Sequence, residues 1–190
     1  MFAALLDTSV LWPSLQRDFL LSLAIEGLYR PLWSTEILAE LEYHETQKLM
    51  NRGEQPAAAA ARASHLIDQM TTAFDDAVVE NWEPYDGSFH LPDPNDEHVA
   101  AAALVGGAGA IVTDNLKDFP VAKIPAHIKV LSPAEFAADT VSVSPDLALR
   151  AVQTMASRYS APPLTTEEIL SWLIQRYQMT EAVELIRAAI

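Results

Sequence analysis

Short unbroken apolar runs alternate along the chain with longer stretches whose apolar residues recur at helical spacing. Phe2 to Leu6 is such a run and stops at Asp7, the pattern of a strand buried on both faces. Thr8 and Ser9 can cap a following helix, predicted over Val10 to Tyr29 with Pro13 near its first turn. Arg30 to Trp33 reads as a second strand. Ser34 or Thr35 then caps a helix with Glu36 in its first turn, Glu40 inside it, and Ile37, Leu38, Leu41 and Leu49 as an incomplete stripe. After a turn at Asn51 to Gln55, Pro56 opens an alanine-rich helix that runs to about Phe74. Val78 to Trp82 is a third strand candidate, followed by a loop of turn formers from Glu83 to Asn95. The acids that close this loop stand where the next helix begins, and Gly106, Gly107 and Gly109 end that helix after Val105. Ala110 to Thr113 is a fourth strand that stops at Asp114, and Val130-Leu131 a fifth. Strands alternating with helices predict an α/β fold: a parallel sheet flanked by helices, with its site at the strands' carboxyl ends.

The last fifty residues change character. Ser144-Pro145, Thr165 to Glu168 and Thr180-Glu181 are three successive helix starts, the middle one a capping box. The expected division is a main domain over residues 1–138 and a small helical extension over 142–190. Ile169, Leu170, Leu173, Ile174 and Tyr177 recur at helical spacing, as do Val183, Leu185, Ile186 and Ile190. These stripes either complete a core or offer a surface to a partner.

Charge removes one class of function. With 12 Lys and Arg against 26 Asp and Glu, the net charge of −14 is the wrong sign for a protein that coats nucleic acid with cations. The first 138 residues carry 8 bases and 20 acids, so the acidity lies in the α/β part. Having no cysteine, the chain has no disulfide, thiolate zinc site or cysteine nucleophile. The start lacks a basic signal-like segment and no apolar stretch reaches the ~20 residues of a membrane span, so no membrane association and a cytoplasmic home are expected.

Asp7 and Asp114 each follow an apolar strand, while Asp93, Asp96 and Asp118 stand in loops or helix starts beside strand ends. A parallel sheet gathers such acids at one edge, where they repel unless a cation sits among them. Hard oxygen ligands without cysteine select Mg2+ or Mn2+, and one or two such ions activating a water is the logic of phosphodiester hydrolysis. Asp7 and Glu40 also have plain readings as a helix cap and a helix-surface acid, with Glu36 as the rival of Glu40. Asp93 and Asp96 can divide the work, one capping and one binding, with Asp96 preferred as ligand and Asp93 behind it. His44 and His98 read as fillers of semi-buried slots, and Trp12 and Tyr85 as side chains that can stack on unpaired bases.

Four segments in order carry a resemblance: Leu5 to Ser9, Trp33 to Leu41, Leu91 to Ala102, and Ile111 to Pro120. Over residues 2–135 the chain resembles the PIN-domain nucleases, most closely the VapC-type toxins of bacterial toxin–antitoxin pairs. The resemblance implies a PIN-like fold and a Mg2+- or Mn2+-dependent endoribonuclease that cuts single-stranded or loop RNA, leaving a 5′ phosphate and a 3′ hydroxyl. It puts Asp7, Glu40, Asp96 and Asp118 in the catalytic set, with Asp7, Asp96, Asp114 and Asp118 as candidate metal ligands. Thr8, Asp93, Thr113, Asn115 and Lys117 would orient water or phosphate. Where many relatives have an aspartate two residues after the threonine, this chain has Asn115, so the last ligand stays open among Asp114, Asn115 and Asp118. A cognate antitoxin, and dimers or larger toxin–antitoxin complexes, are further implications. The alternative is a catalytically weak PIN scaffold that binds RNA or protein without cleavage. A phosphotransfer enzyme or receiver domain would need a second acid near Asp7, where Ser9 stands instead.

Overall fold

The first apolar run forms strand β1 (Ala3–Leu6), whose Ala4, Leu5 and Leu6 are fully buried in the computed structural model of residues 1–190. It lies at the centre of a five-stranded parallel sheet of order β3-β2-β1-β4-β5, with β2 at Arg30–Ser34, β3 at Val78–Val79, β4 at Ala110–Val112 and β5 at Lys129–Leu131. Successive strands run outward from β1 on one side, and β4 and β5 take the other. The order therefore reverses between β1 and β4, where crossovers diverge and leave a crevice at the carboxyl ends. Leu6 pairs with Val112 in that register, so Asp7 and Thr113 emerge side by side.

The helix predicted from Val10 to Tyr29 is two. Helix α1 (Thr8–Leu11) ends at Trp12, and α2 (Ser14–Ile25) begins after Pro13, whose extended ψ of 114° breaks the run. Proline has no N–H and crowds the preceding turn, so it ends the first helix here instead of opening a single one. The third strand is shorter than Val78 to Trp82, because only Val78 and Val79 pair with β2. Helix α3 (Thr35–Asn51) starts where Ser34 accepts the Ile37 amide at 3.1 Å, and α4 (Pro56–Ala73) starts at its proline as expected. Helix α5 (Glu97–Val105) follows a single 3-10 turn at Pro94–Asp96.

Two compact units share the chain. The first comprises residues 3–12 and 31–130 and holds nearly all of the sheet with α1, α3, α4 and α5. The second comprises residues 1–2, 13–30 and 131–190 and joins α2 to four helices: α6 (Pro133–Val143), α7 (Pro145–Arg158), α8 (Thr166–Tyr177) and α9 (Thr180–Arg187). Three of these helices begin where the sequence marks them. The fourth, α6, was not anticipated, although Ser132 and Glu135 form a reciprocal capping box ahead of it. Phe19, Leu20 and Leu23 of α2, Ile169, Leu170 and Leu173 of α8, and Val183 and Ile186 of α9 are all fully buried. The inner residues of the apolar stripes thus pack within this unit, whereas Ile190 is exposed; Tyr29 also meets Phe136 edge-on at 4.8 Å. No helix is long and apolar enough to cross a membrane.

Packing against the sheet is close at Gly106. A Cβ there would lie 2.7 Å from a Val79 methyl and 3.1 Å from one of Leu32. Gly106→Ala is expected to destabilise the protein by about 1–3 kcal/mol through overpacking. A thermal midpoint equal to wild type would refute this.

Candidate active site

An open cleft of about 370 Å3 lies at the carboxyl ends of the strands, lined by Asp7, Thr8, Ser9, Trp12, Glu40, His44, Asp96 and Asn115. Five of these are among the residues expected to carry the chemistry or support it. They come from four chain segments, and each segment explains how its side chain is aimed.

Asp7 closes β1 and occupies the N-cap position of α1, yet makes no cap hydrogen bond. Its Oδ2 instead accepts the hydroxyls of Ser9 and Thr113, each at 2.7 Å. Asp7 is 5% exposed and lines the cleft, and both of these bonds fall on one oxygen. Thr113, fully buried after β4, also accepts the Asn115 amide at 3.0 Å, and Ser9 accepts the Asp114 amide at 3.2 Å. Two hydroxyls therefore tie the end of β1 to the turn after β4. Ser9 was read from the sequence only as a helix cap; a small hydroxyl two residues after a strand-end acid was the available signal.

Glu40 reaches the cleft because Ile37, Leu41, Glu45 and Leu49 hold the buried face of α3. Its Oε2 accepts Thr8 Oγ1 at 2.5 Å, and its Oε1 lies 3.4 Å from His98 Nε2. Burial raises its carboxyl pKa, but the hydrogen bonds from His98 and Thr8 outweigh that and hold it below its ordinary value. For His98, burial lowers the pKa while the hydrogen bond and charge of Glu40 raise it, with a net rise. His98 fills a buried slot, its ring centroid 5.9 Å from that of Trp82, and its Nε2 meets Glu40. His44 follows Glu40 by one turn on the same face.

Asp93 and Asp96 divide their work. Asp93 accepts the Asn95 amide at 2.9 Å and caps the 3-10 turn, while Asp96 makes no cap bond and lines the cleft. Burial, together with the charges of Asp7, Asp93 and Asp118, pushes Asp96 up from 3.8 to about 6. Asp118 acts on Asp96 by charge from the short turn Leu116–Asp118 without lining the cleft. Asp114 and Lys117 are exposed outside the cleft lining. Asn115 does line it.

Glu97 carries no sequence expectation but sets the geometry of this corner. Buried at the first turn of α5, its carboxylate accepts the amides of Phe89, at 2.9 Å, and Leu91. It clamps the turn-rich loop that delivers Asp93 and Asp96. Glu97→Ala should cost about 1–3 kcal/mol by leaving the buried Leu91 amide and the partly buried Phe89 amide unpaired. Amide exchange at Phe89 and Leu91 should rise with it; protection equal to wild type would mean the clamp is unimportant.

The donor set suits a hard divalent cation: carboxylate oxygens, an amide and hydroxyls, with acids crowded enough to raise one of their number. No three His, Asp or Glu side chains are assembled as a ready-made ion site, so binding an ion would draw side chains inward.

A family model described as a PIN domain matches residues 3–117, more than half of the chain, and one described as the VapC50 C-terminal domain matches residues 133–188. The protein belongs to the PIN-domain family. A Mycobacterium tuberculosis protein named "Putative ribonuclease VapC50" is 37% identical over 79 residues, 41% of this chain and 47% of that relative. The match thus spans about half of the relative's length. No solved structure matches the chain.

Proposed function

We propose that the cleft hydrolyses phosphodiester bonds of single-stranded or loop RNA with the help of Mg2+ or Mn2+, and that the protein is the toxin of a toxin–antitoxin pair. The observation that carries this reading is the meeting of Asp7, Glu40 and Asp96, from three separate segments, at the point where the strand order reverses. In this reading residues 1–138 carry the chemistry and 142–190 are the helical extension. Asp7 and Asp96 would hold the ions, aided by Asp118 or Asp114, with Asn115 contributing an uncharged oxygen. Bound ions would offset the repulsion around Asp96 and supply Lewis acidity at phosphorus and at water. Ser9 and Thr113 would fix the rotamer of Asp7 by holding one of its carboxylate oxygens. Thr8 and His98 hold Glu40 ionised and aimed, ready to accept a proton from an attacking water. Asp93 supports Asp96, while Lys117 on the neighbouring turn would meet a flanking phosphate.

The acidic cleft and the charge of −14 suit an antitoxin that inserts an arginine or lysine among these carboxylates. Pairing of the toxin with itself and a cytoplasmic location belong to the same proposal. The second reading, a scaffold that binds without cutting, draws on Asn115 and on the low count of 12 Lys and Arg. One assay separates the two. Purified protein should cut single-stranded RNA with Mg2+ or Mn2+ and not in EDTA, and intact RNA under both metals would favour the scaffold.

A further inference from the structure

The cleft has an acidic wall but no lysine or arginine among its lining residues, which poses a question the nuclease reading leaves open: what holds the RNA chain there? Phosphates entering the cleft meet Asp7, Glu40 and Asp96, while Lys48 is already paired with Glu45 and Lys117 stands outside the lining. Ordinary affinity for nucleic acid comes from neutralised phosphates, and here that source is weak. A nucleobase is neutral and pays no such penalty. Its natural counterpart is an aromatic face, because base–aromatic stacking is independent of phosphate charge.

Trp12 is that face. It lines the cleft and is 43% exposed, whereas Trp33 and Trp82 are buried. A large aromatic left open beside carboxylates is not serving the core. Its backbone is fixed at the lip of the site: its N–H donates to the Thr8 carbonyl at 2.9 Å, and Pro13 follows at once. Its carbonyl accepts Lys48 Nζ at 3.3 Å, and that ammonium lies 5.6 Å from the ring centroid. Lys48 is itself paired with the buried carboxylate of Glu45, so it steadies the tryptophan more than it attracts phosphate. The ring is thus backed and oriented before any ligand arrives, which lowers the entropy lost on binding. Tyr85 is also exposed, at 46%, but it does not line the cleft.

We infer that Trp12 is a stacking platform for one unpaired base next to the scissile phosphate, and that this contact, more than phosphate pairing, holds single-stranded RNA at the site. The inference rests on the nuclease reading for its substrate, while the contact itself can be measured without cleavage. Asn115, on the same lining, adds an amide that can meet a base edge. A base in a duplex is covered on both faces by its neighbours, so the platform selects unpaired strands.

The test is a titration of tryptophan emission with a single-stranded hexaribonucleotide in EDTA. Wild type should be quenched, with a salt dependence shallower than that of a protein making several phosphate contacts. Trp12→Ala should bind about tenfold more weakly or worse, and Trp12→Phe should bind within about twofold of wild type but lose most of the quenching. Strands carrying abasic sites should not reproduce the signal. The inference is overturned if wild type shows no quenching, if abasic strands quench equally, or if Trp12→Ala keeps wild-type affinity. Trp12-dependent binding with no cleavage under Mg2+ or Mn2+ would remove the nuclease reading and leave the platform. Cleavage by Trp12→Ala with an unchanged KM would do the reverse.

Discussion

Asp96→Asn should abolish RNA cleavage while making the metal-free protein at least as stable at pH 7 as wild type. The carboxylate is ionised at that pH although burial and three like charges disfavour it, as its rise from 3.8 to about 6 records. An acid raised in the folded state stabilises that state most when protonated. Its contribution is fully present below about 3.8 and lost as pH climbs through about 6. After allowance for solvent screening of this half-exposed group, the loss is on the order of 1 kcal/mol. Thermal midpoints of the two proteins in EDTA should therefore converge near pH 4 and separate toward pH 7 in favour of the variant. Asp7→Ala should be equally inactive but less stable, by about 1–3 kcal/mol, because it strips the acceptor from Ser9 and buried Thr113. Asp7→Asn, which keeps an acceptor, should recover most of that stability and none of the activity. Residual cleavage near wild type in Asp96→Asn would remove Asp96 from the site.

The residues of this cleft differ in how far their placement could be read from the chain. Asp7 was legible because an apolar run ending in an acid fixes both a strand and the position of its last side chain. Asp96 was legible as an acid at a helix start, and of the two acids it is Asp93 that caps the turn. Glu40 was not separable from Glu36 by pattern, since both sit on a helix with an incomplete stripe; ordered resemblance singled it out, and its contacts with Thr8 and His98 explain why. Ser9, His98 and Glu97 escaped because their roles are pairings across 104, 58 and 8 residues that no local rule encodes. The break at Pro13 was visible as a proline, but a proline near a helix start is also compatible with one continuous helix.

The joining of α2 to the last four helices was the least legible feature, and it carries the second large prediction. Deleting residues 142–190 should give a chain that aggregates or binds hydrophobic dyes, with no cooperative unfolding transition. Helix α2 buries Phe19, Leu20 and Leu23 completely, and it packs with α7 and α8, both of which the deletion removes. Two ion pairs go as well, Arg150 with Glu26 at 2.7 Å and Arg158 with Asp18 at 2.5 Å, though these exposed pairs contribute little beside the apolar area. Hydrophobic surface newly opened on one helix from several fully buried side chains exceeds what a soluble monomer ordinarily tolerates. A gentler variant guards against reading mere damage: Leu173→Ala in the full chain should cost about 2–5 kcal/mol, as expected of a leucine with no exposure in a packed interior. If the stripe of α8 were instead a docking surface, Leu173→Ala would keep the wild-type thermal midpoint and lose only a bound partner. A soluble, cooperatively folding fragment after the deletion would likewise show that α2 finds its cover elsewhere.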